Sequence, residues 1–435
     1  GVYCAYFPSV QLGWAISNEK LFPKTSALNY FLLKAGYDIT GNDDINNYAA
    51  RTSFQVMQYL NNTSVHMLNN IGNDKITYEK TGQWNVGFKS YLLNNRLGVD
   101  FNYYQKHTTN LLTLKTFENP VAGINNYWSN GGSMDNQGFE VTVTTKPVVS
   151  KDFNIELGAS VGHYENKIKT LPNDDKLYVD GVKNAQGYTS SIYGTDNIAT
   201  IVGQPVGSFY GYKTAGVFAT DAQAKAAGNN DYLYYLDETG AKQYFKAGDM
   251  HFVDINKDGK IDEADKTIIG NPNPDIYGNI FGSVMWKNFT LTLGLNYSLG
   301  NDVYNYSRSV LESGSNFYNQ TIAMANRWRH EGQVTDMPRL SYGDPMGNAR
   351  FSDRWIEDGS YLRLKTVNIS YKVPVKGDWI QGLTIWAEAN NLFTITKYLG
   401  SDPEFSAANG VLYQGIDPGN VALSRTFTFG MKINL

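Results

Sequence analysis

The densest set of potential metal ligands occupies the twelve residues 254–265, a segment rich in Asp, Asn and Gly. Side-chain oxygens fall at loop positions 1, 3, 5, 9 and 12, and position 7 offers a backbone carbonyl, which is the spacing of an EF-hand calcium loop. The predicted ligands are Asp254, Asn256, Asp258, Lys260 through its carbonyl, Asp262 and Asp265. Gly259 at position 6 permits the sharp turn, and Ile261 should pack inward. The sequence therefore predicts one bound Ca²⁺.

One position of this loop departs from the usual pattern. Asp265 stands at position 12, where most such loops have a bidentate glutamate. The shorter arm is closer to dockerin-type loops and predicts weaker binding or an added water ligand. The alternative is a solvated Asp/Asn/Gly turn that holds no ion. Because the segment lies inside a long predicted loop, 165–276, bound Ca²⁺ would stiffen that loop and would not take part in catalysis.

Other potentially catalytic groups lack the context that their chemistry needs. Residues 158–162 read G-A-S-V-G and match the nucleophile-elbow pattern, but Ser160 lies in the middle of an alternating strand with no helix after it. The histidines share no metal-ligand spacing; they are His66, His107, His163, His251 and His330. We therefore predict that the chain is not an enzyme.

The segments around the predicted metal loop alternate between apolar and polar residues. In 426–435 one face carries only apolar side chains, which are Phe427, Phe429, Met431, Ile433 and Leu435. The other face carries Thr, Gly, Lys and Asn. A strand with one apolar face and one polar face can separate lipid from water, so this pattern predicts a membrane wall with a water-filled interior.

The composition excludes several other classes of protein. Only 42% of the 435 residues are hydrophobic, and no stretch approaches the ~18 apolar residues of a spanning helix. Aromatic residues make up 14% of the chain, which argues against disorder. The net charge of −4 gives no basic stripe for nucleic acid. Cys4 is the single cysteine, so an internal disulfide and a cysteine metal cluster are excluded.

Eleven segments have the two-residue alternation and the length of a membrane-crossing strand. They lie near 7–17, 27–38, 78–92, 96–107, 136–146, 152–164, 277–286, 288–300, 359–373, 382–394 and 424–435. Short turns alternate with long loops at 39–77, 108–135, 165–276, 301–358 and 395–423. This habit places the long loops outside the cell and the C-terminus in the periplasm. Closed bacterial barrels have even strand numbers, so the odd count predicts further strands before Gly1.

Several motifs resemble the C-terminal barrel half of SusC-like (RagA-type) TonB-dependent transporters of the Gram-negative outer membrane. They are 7–14 (FPSVQLGW), 34–42 (KAGYDITGN), 203–212 (GQPVGSFYGY), 254–265 followed by 269–274 (IGNPNP), 354–364 (RWIEDGSYLRL) and 390–393 (NNLF). The resemblance covers 1–435 nearly end to end. It implies an all-β fold, a transmembrane antiparallel β-barrel of 22 strands, of which this chain would supply about eleven.

The resemblance also implies partners and a task. Such transporters have an N-terminal plug and a TonB-contacting segment, for which 1–435 has no match, and pair with a SusD-like surface lipoprotein, possibly as a dimer of such pairs. They import oligosaccharides or peptides. Loop aromatics could contact such cargo, but we expect packing or partner contact for most loop tyrosines. Two competitors are a soluble or surface-attached all-β carbohydrate-binding protein with a calcium-stabilised loop, and a passive porin.

Overall fold

A computed structural model describes residues 5–20, 22, 25, 27–45, 47–59, 63–121, 124–171, 187–194, 197–228, 231–375 and 379–435. The principal element is an eleven-stranded sheet whose strands are neighbours in the order in which they occur along the chain. Its strands are β1 (Ser9–Ala15), β2 (Leu28–Asn42), β3 (Glu79–Leu92), β4 (Leu97–Thr109), β5 (Ser133–Val149), β6 (Phe153–Thr170), β7 (Ile276–Trp286), β8 (Phe289–Leu299), β9 (Tyr361–Val373), β10 (Gly382–Thr396) and β11 (Thr426–Asn434). The all-β prediction and all eleven predicted strands are therefore confirmed.

The chain forms two compact units, and boundaries between them fall within β5 and within β6. The first contains Gly1–Val141 and Tyr164–Asp174, and the second contains Thr142–His163 and Asp175–Leu435. Antiparallel pairing joins β1 to β4 successively in the first unit and β6 to β11 successively in the second. Among the described residues, no helix has the length and hydropathy that a membrane-spanning helix requires.

The strands of the first unit have one apolar face and one polar face. Register aligns Leu12 with Ala35, Ala35 with Val86, and Val86 with Tyr103 across four strands. Leu12 is 68% exposed and Val86 is 48% exposed, so this apolar row is open on its outer side. The opposite face carries charged groups, including a 2.6 Å ion pair between Lys34 and Asp100. Such a division is what a wall between lipid and water requires.

The first unit also contains two hairpins in its loops. One pairs Ser53–Tyr59 with Thr63–Asn70, and the other pairs Leu112–Val121 with Ile124–Asn130. Asn130 ties the second hairpin to the segment before β3, because its amide accepts from the Thr77 N–H and donates to the Thr77 carbonyl, both at 2.7 Å. These hairpins lie in stretches where we predicted only loops.

The second unit repeats the two-faced wall over six strands. One row of side chains is apolar and runs through the register as Ile155, Val284, Leu291, Ile369, Ala387 and Phe429. The adjacent row is mostly polar and runs as Glu156, Ser283, Thr292, Asn368, Glu388 and Thr428. Asn368 and Asn390 both donate to Glu388 at 3.0 Å, which satisfies this carboxylate on the polar face.

Short strands and helices fill the long loops of the second unit. A four-stranded sheet contains Gly187–Ser190, Ile198–Ile201, Ser208–Tyr212 and Lys266–Gly270. Three smaller sheets pair Thr214–Val217 with Met250–Phe252, Tyr234–Leu236 with Lys242–Tyr244, and Asp302–Asn305 with Ile356–Asp358 and Ile416–Asp417. The α-helices are α1 (Asp221–Ala226) and α2 (Tyr306–Leu311). The 3₁₀ turns of this unit are Glu263–Asp265, Ile322–Asn326, Asp353–Trp355 and Val411–Tyr413, and a further 3₁₀ turn, Ile16–Asn18, lies in the first unit.

We call residues 197–228, 231–275, 301–358 and 397–423 the loop body, because they share buried cores. Its first core consists of Tyr212, Phe218, Ala224, Leu233, Phe245, Met250, Phe252, Ile261 and Met346. Its second core consists of Ile198, Phe209, Tyr304, Trp355 and Ile416. The predicted loop 165–276 is shorter in the structure, since β6 continues to Thr170 and β7 begins at Ile276. Long loops here form a packed structure and are not solvated links.

Candidate functional site

The predicted metal loop wraps its backbone around one carboxylate. Asp254 Oδ1 accepts from the N–H of Lys257 at 2.6 Å and of Asp258 at 3.2 Å, and Oδ2 accepts from the N–H of Gly259 at 2.7 Å. The turn needs left-handed backbone at Lys257 (φ 62°) and at Gly259 (φ 83°). Glycine adopts that conformation without strain, as the sequence predicted for position 6.

A second carboxylate joins the two ends of this loop. Asp265 Oδ1 accepts from the N–H of Ile255 and Oδ2 accepts from the N–H of Asp262, each at 2.9 Å. Asp265 is fully buried, and burial, together with the nearby Asp254 charge, raises the pKa of its carboxyl group. Two carboxylates held close with one of them out of water are a donor set that a cation would stabilise.

The loop is anchored to the first core of the loop body. Ile261 is 2% exposed, and its N–H donates to the Tyr234 carbonyl at 2.8 Å. The inward packing predicted for position 8 is therefore confirmed. Burial of an isoleucine side chain contributes about 1.5–3 kcal/mol, which holds the C-terminal half of the loop in place.

The remaining predicted ligands make contacts of their own. Asn256 donates to Asp258 Oδ2 at 3.1 Å, and Asp258 Oδ1 accepts from the Lys260 N–H at 2.8 Å. The Lys260 ammonium pairs with the Asp262 carboxylate. In the part of the chain that the structure describes, no three His, Cys, Asp or Glu side chains converge in a metal-binding arrangement. The oxygen-rich donor set suits a hard cation, and calcium binding stays a prediction.

Arg350 lies among four aromatic rings of the first core. Its guanidinium carbon is 4.5 Å from the ring centre of Tyr235 and 5.8 Å from that of Tyr212, and Phe245 and Phe252 lie within 5.8 Å. Burial lowers the pKa of Arg350, and burial raises the pKa of Tyr212. These tyrosines therefore pack the loop body, which is the role that we expected for most loop tyrosines.

Trp355 is the centre of the second core. It is fully buried, its Nε1 donates to the Arg350 carbonyl at 3.0 Å, and the guanidinium of Arg354 lies 4.2 Å from its ring centre. Burial is the main reason that the pKa of Arg354 falls to about 10. The segment that carries this tryptophan was one of the motifs behind the family resemblance, and its role in the structure is packing.

A group of apolar side chains in the loop body remains open to solvent. Each is between 72% and 91% exposed, and they are Phe317, Tyr318, Ile322, Val334 and Tyr342. Phe317 and Tyr342 stack with ring centres 4.9 Å apart. Sequence reasoning did not identify this surface, because exposure of a loop aromatic has no periodic signal. The exposed Phe317–Tyr342 stack is an apolar surface of the kind that is typical of a protein interface.

The structure places Ser160 inside β6, where its hydroxyl donates to Asn279 at 3.0 Å. It has no strand-to-helix turn, in agreement with our rejection of the nucleophile motif. His107 contacts Asp135, His163 contacts the Asp275 carbonyl, and His330 contacts the Glu331 carbonyl. His251 stacks on a phenylalanine, and His66 lies on a strand whose side chains are outside the described set. The four histidine side chains that the structure describes share no common site.

A single-sheet wall with exposed apolar rows defines the class as an outer-membrane type of β-barrel segment. Residues 5–256 match the family described as TonB dependent receptor-like, beta-barrel. The chain belongs to this family, and the resemblance to its SusC-like members is confirmed. Membership places the chain in the outer membrane and argues against the soluble all-β carbohydrate-binding alternative.

Similar proteins carry the same family name. The chain is 29% identical over 451 residues to the TonB-dependent receptor SusC of Bacteroides thetaiotaomicron, covering 98% of this chain and 40% of SusC. It is 28% identical over 449 residues to the TonB-dependent receptor P3 of Formosa agariphila, covering 99% of this chain and 42% of that receptor. The chain thus spans about two fifths of the length of these relatives.

Solved structures agree on the fold. The RagAB peptide importer in its closed-closed state superposes with a TM-score of 0.77 at 24% sequence identity, over 99% of this chain and 43% of that one. The RagAB peptide transporter gives a TM-score of 0.76 at 23% identity. At this identity the match shows the fold alone.

Proposed function

We propose that the chain forms the C-terminal barrel portion of a TonB-dependent importer for bulky nutrients. The observation that carries this proposal is the pair of rows across β6 to β11, apolar on one face and polar on the other. One face would contact acyl chains and the other would line an aqueous interior. A barrel of 22 strands would enclose a pore too wide to leave open and would need a plug, which energy from the inner membrane, supplied through TonB, would displace.

The orientation follows from the connections. Short turns join β3 to β4, β7 to β8 and β9 to β10, whereas the loop body joins strands at their other ends. We place the loop body on the extracellular side and the C-terminus in the periplasm, as in other outer-membrane barrels. Substrate would then meet the loop body before it reaches the barrel interior.

The partner would be a SusD-like lipoprotein that lids the barrel. The loop body offers it exposed apolar side chains for contact, which are Phe317, Tyr318, Ile322, Val334 and Tyr342. Exposed aromatics are enriched at such interfaces and lose water on contact. Two transporter-lipoprotein pairs would assemble as a dimer.

The cargo would be an oligosaccharide or a peptide. Support comes from the likeness to SusC and to a structure described as a peptide importer. The polar row, with three hydroxyls, one amide and two carboxylates, suits neutral, hydrogen-bonding cargo better than a strongly anionic one. Transport breaks no covalent bond, so we expect no enzyme activity, and Ca²⁺ in the 254–265 loop would only stiffen the loop body.

The test uses a strain that lacks the full-length transporter and is complemented with the wild-type gene. Uptake of labelled maltodextrins and of labelled peptides is measured with and without a protonophore. We expect uptake of one cargo class, abolished by the protonophore and by deletion of the adjacent lipoprotein gene. Uptake that survives the protonophore would indicate a passive porin, and hydrolysis of the cargo by purified protein would contradict the non-enzymatic assignment.

A further inference from the structure

A groove on the first unit lies where the apolar face of β2, β3 and β4 becomes polar. Its volume is about 520 Å³. The lining residues are Tyr37, Ile39, Lys80, Gly82, Trp84, Gln105, His107, Thr109 and Asp135. The register puts the β2, β3 and β4 residues of this set on the same face as Leu12, Val86 and Tyr103, the face that we assign to lipid. The groove therefore opens toward the membrane side of the wall and not toward the polar interior.

The floor of the groove is aromatic. Tyr37 and Trp84 are register partners, their ring centres are 4.6 Å apart, and Trp84 is 62% exposed. Rings at this height, directly beyond the apolar row of Val86, correspond to the aromatic girdle of a barrel. A flat, exposed indole also stacks on the apolar face of a sugar ring.

Cationic side chains border the rings on the side away from the apolar row. Lys169 Nζ lies 3.0 Å from Asp135 Oδ2, and His107 Nδ1 lies 2.6 Å from Asp135 Oδ1. Lys80 is exposed, and among the described residues no carboxylate lies within ion-pair distance of its ammonium. Lys80, Lys169 and Asp135 together carry one net positive charge.

The strand register gives the position of this positive charge along the strands. Lys80 is opposite Thr109, and His107 is opposite Gly82 on the same pair of strands. Diagonal neighbours across an antiparallel pair are about 7–8 Å apart, so Lys80 and His107 bracket a space of phosphate size. The apolar face of these strands continues from this space toward the short turn at Leu92 and Leu97.

We propose that this groove binds the phosphorylated headgroup of an outer-leaflet glycolipid. Phosphate oxygens bind Lys80 and Lys169, a sugar ring stacks on Trp84, and the acyl chains follow the apolar face of the strands below it. Continuity with the lipid-facing row selects a lipid over a free anion as the occupant. The assignment rests on the proposed function, because it uses the orientation that puts this end of the strands at the extracellular surface.

The experiment uses the full-length transporter in detergent and native mass spectrometry. Diphosphorylated lipid A is added to the wild type, and phosphatase-treated lipid A is added in parallel. We expect retention of the diphosphorylated lipid and loss of retention after phosphatase treatment. The variant K80Q/K169Q should bind the diphosphorylated lipid about fivefold more weakly, a size expected for two exposed ion pairs.

A matched control removes two charges from the polar face. The variant K89Q/K106Q has the same net charge as K80Q/K169Q, and its substitutions lie on β3 and β4 facing the interior. It should retain lipid A like the wild type. Equal retention of both lipids by the wild type, or equal weakening in both variants, would overturn the proposal. Full competition by inorganic phosphate would do the same, because it would indicate a free-anion site.

Folding and the proposed function are checked separately. Folded barrels of this class shift in gel mobility on boiling, and both variants must show the shift before their binding is compared. The comparison with phosphatase-treated lipid uses the wild-type protein alone, so it does not depend on the folding of a variant. If the wild-type protein does not insert into lipid vesicles, the proposed membrane function fails. If it inserts and does not distinguish the two lipids, only the glycolipid site fails.

Discussion

Arg339 binds Asp249 through two nitrogens, with Nε donating to Oδ1 at 2.8 Å and a terminal nitrogen donating to Oδ2 at 2.9 Å. Asp249 is fully buried, and Arg339 is 36% exposed. The two residues belong to different long loops, so this pair joins segments that are ninety positions apart in sequence. Asn348 completes the site by donating to Asp249 Oδ1 at 3.0 Å.

Arg339→Ala should loosen the loop body. It leaves a buried carboxylate without its cation, which costs about 2 kcal/mol, because hydrogen bonds to charged groups contribute ~1.5–3 kcal/mol. A cost of about 2 kcal/mol raises the open population roughly thirtyfold. Limited proteolysis of the transporter in outer-membrane preparations measures this as faster cleavage within the loop body.

The control for this experiment is Arg329→Ala in the same loop. Arg329 is exposed and donates to the Ala325 carbonyl, so its loss should change the stability of the loop body by less than about 0.5 kcal/mol. The cleavage rate should therefore change little. Equal cleavage rates in the two variants would mean that the buried pair does not hold the loops together.

The 254–265 loop should bind Ca²⁺ weakly. We expect a dissociation constant on the order of 10⁻⁴ to 10⁻³ M, the range of extracellular calcium modules, because Asp265 replaces the usual glutamate. Asp258→Ala should lower the affinity about tenfold or more by removing one ligand charge. Isothermal titration of the chelator-treated transporter measures both values.

Glu263→Gln is the matched control for the calcium measurement. Glu263 lies in the same loop at position 10, its side chain is 75% exposed, and it pairs with Lys266 at 2.8 Å. It is not a predicted ligand, so its substitution should leave the affinity unchanged. If titration of Ca²⁺ into the wild type releases no heat of binding, the result would support the alternative of a solvated turn that holds no ion.

The loop body should lose stability in mild acid through His251. Its ring stacks on Phe218 at 4.3 Å, and burial lowers the pKa of its imidazole below the ordinary value of 6.5. Because the unfolded state binds more protons in that window, stability falls as pH falls from 6.5 toward the folded pKa. Cleavage of the loop body by an acid-tolerant protease should therefore accelerate over this range.

His251→Phe keeps an aromatic ring against Phe218 and removes the titrating group. Its cleavage rate, corrected for the protease's own pH profile with an unfolded substrate, should stay flat over the same range. If the wild type and the variant have the same pH dependence, other groups of the loop body are responsible.

The wall was predictable from sequence because its signal is local. Alternation in 426–435 is visible residue by residue, and the same period identified all eleven strands of the sheet. The strand ends were less accurate. β6 continues to Thr170, past the predicted end at 164, because pairing persists where the outward side chains are no longer uniformly apolar.

The loop body was not predictable in the same way. Its strands have two to five residues, too few for a period to appear. Ile198, Trp355 and Ile416 meet in one core although they come from three separate loops. For the metal loop, spacing predicted the turn at Gly259 and the burial of Ile261, but it did not reveal that Asp254 and Asp265 bind backbone N–H groups.

Two neighbouring residues of β11 test the assignment of the faces. Phe429→Lys places a charge on the apolar face and should cost about 2–4 kcal/mol at the bilayer centre. Thr428→Lys places the same charge on the polar face, where it meets Glu388 across the strand pair, and should be tolerated. Heat-modifiable gel mobility of outer-membrane fractions measures the folded fraction of each variant. Equal folding of both variants would contradict a lipid-facing Phe429, since a wall without lipid on that side would accept either lysine.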